Sequence, residues 1–92
     1  MKYQLSVSNR FKKDLKLLKK RGYNLTYLQE VIDILLEGKE LDAKYHDHAL
    51  HGDFEGSREC HIRPDWLLIY TKFEDKLLLF LSYTGTHSDL FR

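Results

Sequence analysis

Arg58-Glu59-Cys60-His61-Ile62-Arg63-Pro64-Asp65-Trp66-Leu67-Leu68-Ile69-Tyr70-Thr71-Lys72-Phe73 decides the fold, because two apolar-rich runs meet across a Pro-Asp turn. Together with the run that follows Glu74-Asp75, it predicts three strands, over 57–63, 66–73 and 76–84, arranged as an antiparallel meander. The middle run carries Trp66, Leu68 and Tyr70 on one face and Leu67, Ile69 and Phe73 on the other, the pattern of a central strand covered by helices. In the first run His61 shares a face with Ser57, Glu59 and Arg63, while Cys60 and Ile62 turn to the other side.

Upstream, Tyr3, Leu5 and Val7 alternate with Gln4 and Ser6, predicting a strand over 2–7. Ser8 is placed to cap a helix over 9–21, with Phe11, Leu15 and Leu18 on one face and Gly22 as its stop. Asn24 opens a second helix over 25–37, closed by Gly38. Residues 39–56 have no sustained period and hold three of the five histidines, so they read as an ordered functional loop. Beyond Gly85, residues 86–92 form a last turn that lays Leu90 or Phe91 on the sheet. The order is β-α-α-β-β-β: an α+β fold, one domain over 1–92, with a helical hairpin on one face of a small, mostly antiparallel sheet.

Charged residues make up 32% of the 92, yet they cancel to a net +1, so overall charge selects no partner. One cysteine closes no internal disulfide, no signal peptide opens the chain, and no apolar run approaches the ~20 residues of a bilayer span. The expected address is the cytoplasm, without membrane insertion. Locally the charge is uneven: residues 10–21 carry +6, and Lys13, Lys16 and Lys20 share a helical face able to meet phosphates or an acidic partner.

Histidine is the side chain suited to proton transfer in both directions near neutral pH. His61 faces solvent or a cleft, and His87 follows the glycine that ends the last strand. Asp65, just past the His61 strand, is placed to orient an imidazole. His46-x-His48-x-x-His51 offers imidazoles at metal-like spacing, but with the lone cysteine distant it lacks the paired ligands of structural zinc, and no metal or cofactor is expected. Cys60 has no histidine on its strand face, and no glycine-rich phosphate loop is present.

The stretches His46-Asp47-His48-Ala49-Leu50-His51-Gly52, Arg58 through Tyr70, and Thr84-Gly85-Thr86-His87-Ser88-Asp89-Leu90-Phe91 resemble the YafQ branch of the RelE/ParE toxin superfamily. The resemblance implies the toxin of a type II toxin–antitoxin pair, an endoribonuclease that cuts mRNA in the ribosomal A site, held by a DinJ-like, dimeric, DNA-binding antitoxin. It places the functional residues on His48, His61, Asp65, His87 and Phe91, with Phe91 as a packing or stacking platform. Wider RelE-type toxins use Lys and Arg where this branch uses His. Lys13, Lys16, Lys20 and Arg58 are the expected RNA contacts. The competing expectation is a ParE-like protein that inhibits gyrase by binding alone; a metal-binding regulator rests only on the His46–His51 loop.

If the basic helix docks on ribosomal RNA, reversing Lys13, Lys16 and Lys20 to Glu weakens ribosome binding. Each lost phosphate contact lowers the slope of log affinity against log salt by ~0.7–0.9. Sedimentation across a salt series measures this, and an unchanged slope places docking elsewhere.

Overall fold

A computed structural model describes residues 2–91. Its elements are β1 (Gln4–Val7), α1 (Asn9–Lys20), α2 (Thr26–Leu36), β2 (His48–Ala49), β3 (Arg58–Arg63), β4 (Trp66–Phe73), β5 (Leu78–Gly85) and α3 (His87–Leu90). They form one five-stranded sheet in the order β1-β5-β4-β3-β2. β1 runs parallel to β5 (Gln4 opposite Leu78), and the other pairings are antiparallel.

Ser8 caps α1 as the sequence predicts, whereas Leu25, not Asn24, is the N-cap of α2. Ser8 Oγ accepts the Phe11 N–H at 2.9 Å and donates to the Ser82 carbonyl at 2.6 Å, so one hydroxyl starts α1 and fastens it to β5. Gly22, at φ +81°, turns the chain after α1, a left-handed conformation that favours glycine. Asn24 Oδ1 accepts the Thr26 N–H at 3.0 Å at the start of α2. Phe11 and Leu18 of α1, with Leu28, Val31, Ile32 and Leu35 of α2, bury against Cys60, Ile62, Trp66, Leu68, Tyr70, Leu79 and Leu81. The hairpin thus covers one sheet face. On the other face Leu67 and Ile69 are also fully buried, and there Phe54 meets Tyr83 and Phe91 while α3 packs along β5.

Three elements differ from the sequence expectation. The 39–56 loop contains two 3-10 turns, Ala43–Tyr45 and Gly52–Phe54, and contributes β2 as a fifth strand; two residues are too few to show an alternation. The turn before β5 takes four residues, 74–77, because Leu77 adopts φ +50° and its N–H bonds the Glu74 carbonyl. β1 begins at Gln4, since Lys2 and Tyr3 give their N–H groups to the Leu36 carbonyl at the end of α2. No helix of the described residues is long and apolar enough to cross a membrane.

Asp14 sits buried in mid-α1. Its Oδ2 accepts the Thr84 backbone N–H at 3.1 Å, and its Oδ1 pairs with Arg10 Nε at 2.8 Å. Thr84 Oγ1 in turn donates to the Leu67 carbonyl at 2.8 Å and accepts from Trp66 Nε1 at 2.9 Å. Asp14→Ala strands the buried Thr84 N–H, a loss of ~1–3 kcal/mol, or roughly 5–20 °C of melting temperature for a chain this size. Thermal unfolding followed by circular dichroism checks it.

Candidate functional site

Four histidines converge from three separate segments. His46 and His48 come from the loop into β2, His61 from β3, and His87 from the first position of α3. The rings of His46 and His61 lie 5.6 Å apart and those of His61 and His87 6.1 Å apart, while Phe91 lies 6.1 Å from His87. The β3 pleat makes His61 available: Cys60 and Ile62 enter the core, and His61 turns to the opposite face.

Each principal ring is held through the same nitrogen. His48 Nδ1 donates to the His46 carbonyl at 2.7 Å, His61 Nδ1 to the Pro64 carbonyl at 3.3 Å, and His87 Nδ1 to Asp65 Oδ1 at 3.2 Å. Carbonyls and carboxylates only accept, so Nδ1 carries a proton in all three, and Nε2 is the nitrogen that these contacts leave to other groups. Asp65 also accepts the His87 backbone N–H at 3.3 Å, fixing both ring and main chain. A second carboxylate, Glu59, is buried between two rings, its Oε1 3.4 Å from His48 Nε2 and 3.8 Å from His61 Nε2.

Asp47 shapes the loop from behind. His46 adopts φ +48°, and Asp47 turns away from the histidines to accept the Tyr70 hydroxyl at 2.6 Å and Arg58 Nε at 3.3 Å. Burial, then the Asp47 carboxylate, push the Tyr70 hydroxyl well above its ordinary range, and Asp47 also raises Arg58. Burial likewise holds the Cys60 thiol far above the reactive range.

α3 has its own anchor. Thr86 and Asp89 form a capping box, and the Asp89 carboxylate receives Arg21 at 2.8 and 3.2 Å, while Arg10 reaches the Asp89 carbonyl at 3.3 Å. The Arg21 guanidinium, followed by the Thr86 N–H, lowers the Asp89 carboxyl to about 2.

Of the residues expected from sequence, His48, His61, Asp65, His87 and Phe91 gather here. Arg58 does not join them. It lies on the Cys60 side of β3, paired with Asp47, because the alternation that turns His61 outward turns Arg58 the other way. Lys13, Lys16 and Lys20 are exposed on α1 and do not line the cleft beside His61. Glu59 was visible as a neighbour of His61 on the strand face, but its burial was not. His46, given no role by sequence, stacks edgewise on His61, whereas His51 is 83% exposed and pairs with Glu55.

Comparison with known proteins bears on this arrangement. The family model described as the bacterial toxin of type II toxin–antitoxin system, YafQ, matches residues 3–92. The mRNA interferase toxin YafQ of Escherichia coli K12 is 42% identical over 88 residues, 95% of this chain and 94% of that one. The E. coli DinJ–YafQ toxin–antitoxin complex contains a chain that superposes with a TM-score of 0.89 at 38% identity, covering 100% of both. A metal-bound toxin from Helicobacter pylori superposes with a TM-score of 0.90 at 42% identity, covering 97% and 99%. In the present chain no group of three or more His, Cys, Asp or Glu among the described residues is gathered as metal ligands.

Because the Asp89 carboxyl is lower folded than unfolded, its stabilising contribution is complete above its ordinary value near 4 and is lost as pH falls through about 2. Amide exchange at residues 86–91 should therefore rise across this window relative to the sheet core. In Asp89→Asn, this acid-dependent rise disappears; its persistence there would assign it to another carboxyl.

Proposed function

The chain belongs to the YafQ family of bacterial type II toxin–antitoxin toxins, and from that premise we propose that it is an mRNA interferase, an endoribonuclease held in check by a DinJ-like antitoxin. Its proposed setting is the cytoplasm, where it cuts messages held on the ribosome. The observation that carries the reading is the pair His61 and His87, each with Nδ1 satisfied by the protein and their rings 6.1 Å apart, with the Glu59 carboxylate 3.8 Å from His61 Nε2.

RNA supplies its own nucleophile. One histidine takes the 2′-hydroxyl proton, the 2′-oxygen bonds to phosphorus, the bond to the 5′-oxygen breaks, and a second, protonated histidine gives that oxygen a proton. With 6.1 Å between their ring centres, His61 and His87 are near enough neighbours to attend the same phosphate. Asp65 fixes the His87 tautomer, Phe91 packs beside it, and His48, with its ring nitrogens engaged by the His46 carbonyl and Glu59, holds that carboxylate beside His61. The exposed lysines Lys13, Lys16 and Lys20 are the proposed long-range contacts to ribosomal RNA.

Purified toxin added to ribosomes programmed with mRNA should yield 2′,3′-cyclic phosphate and 5′-hydroxyl ends. His87→Ala should slow cleavage ~100- to 10,000-fold while shifting stability by less than ~0.5 kcal/mol and leaving antitoxin capture intact, because the ring is half exposed. Products with 5′-phosphate ends, or near-full cleavage by the variant, overturn the assignment.

A further inference from the structure

A cleft of about 830 Å³ opens beside the histidines, between α2 and the wall formed by β3 and the 39–56 loop. Resting on the reading of the chain as an RNA-cleaving toxin, we propose that this cleft holds an unpaired nucleobase next to the scissile phosphate, stacked on the Arg63–Tyr27 pair.

Three observations converge. The cleft is continuous with the reactive groups, since His46, His48 and His61 line it, and its volume lies in the ~300–1,000 Å³ range of small-ligand sites. Its walls carry two cation–aromatic pairs, each adjoining a histidine in the chain. The Arg63 guanidinium carbon lies 4.7 Å from the Tyr27 ring centre, two residues beyond His61, and Lys44 lies 5.2 Å from the Tyr45 ring, next to His46. Among the described residues neither Arg63 nor Lys44 is ion-paired with a carboxylate.

Tyr27 is 40% exposed, more than a ring placed for core packing would be. An exposed aromatic ring with a guanidinium beside it offers an unstacked base both a stacking surface and a cation, a recurrent way of gripping single-stranded RNA. The position of the reacting groups sets the ligand's direction. His46, His48 and His61 line one side of the cleft, and Tyr27 with Arg63 over its ring lines the side toward α2. A nucleotide therefore enters with its phosphate toward the histidines and its base toward α2.

The test uses ribosomes carrying an A-site message blocked by a 2′-O-methyl group at the reacting position, with 4-thiouridine on either side. Ultraviolet crosslinking to the wild-type toxin should map by mass spectrometry to the cleft segments 27–30, 44–46 or 61–64, in wild type and in chemistry-dead His87→Ala alike. On unblocked message, Tyr27→Ala and Arg63→Gln should raise KM roughly tenfold or more, with little change in kcat and a flattened base preference, and Tyr27→Phe should restore both. Crosslinks elsewhere, or wild-type KM and preference in both variants, overturn the proposal. Unchanged RNA kinetics with weakened antitoxin binding also overturn it, and make the cleft a protein interface. Failure of wild-type toxin to cut the unblocked message would sink the nuclease reading instead, and the crosslink map then still decides whether the cleft takes a base.

Discussion

One buried carboxylate, that of Asp14, fixes the end of the sheet from which His87 projects. It accepts the main-chain N–H of Thr84, one residue before the glycine that ends β5 and three before His87. Thr84 passes the constraint on through its hydroxyl to the Leu67 carbonyl and the Trp66 indole, so that α1, β4 and β5 share one hydrogen-bonded junction. No buried side-chain nitrogen or oxygen among the described residues lacks a partner. In a low-dielectric interior such a network is unforgiving: fully paired it specifies one geometry, and a missing member leaves a polar group stranded. His87 and the Asp65 turn occupy two ends of that junction, one after β5 and the other before β4.

The basic helix divides its cations by chemistry. Arg10 and Arg21 aim their forked guanidinium groups inward, at Asp14 and at Asp89, where planar geometry matches a carboxylate. The lysines Lys13, Lys16 and Lys20 stay in solvent, where a compact ammonium on a flexible stem is well hydrated. The local excess of +6 is thus two systems laid on one helix. The arginines hold the short C-terminal helix against the body, and the lysines remain free to meet an external anion.

Four of the five strands, both long helices and the outward turn of His61 were legible because each leaves a period of 2 or 3.6 in the apolar residues. The junction was not. Asp14 reads as the lone acid of a basic surface helix, and only the arrival of Thr84, 70 residues later, makes burial tolerable. Arg58 obeys the same alternation as His61 and so turns the other way, but the carboxylate that claims it, Asp47, lies eleven residues earlier in an aperiodic loop. Glu59 shows the same limit: its face could be read, but its enclosure by His48 depends on a two-residue strand too short to announce itself. His46 depends on a left-handed backbone at a residue other than glycine, which no periodic pattern encodes.

The pairing of β1 with β5 brings residues 4–7 beside residues 78–81, the most distant partners in the sheet. In a chain made from its N-terminus, β1 waits with an unpaired edge while nearly everything else emerges, and its partner arrives just before the segment that carries His87. Non-local pairings of this kind form late, since the entropy of closing the long loop must be met first. His46, His48 and His61 exist as a set well before His87 joins them. Synthesis thereby imposes an interval in which the polypeptide holds the helices and a hairpin but lacks His87 and the helix that carries it.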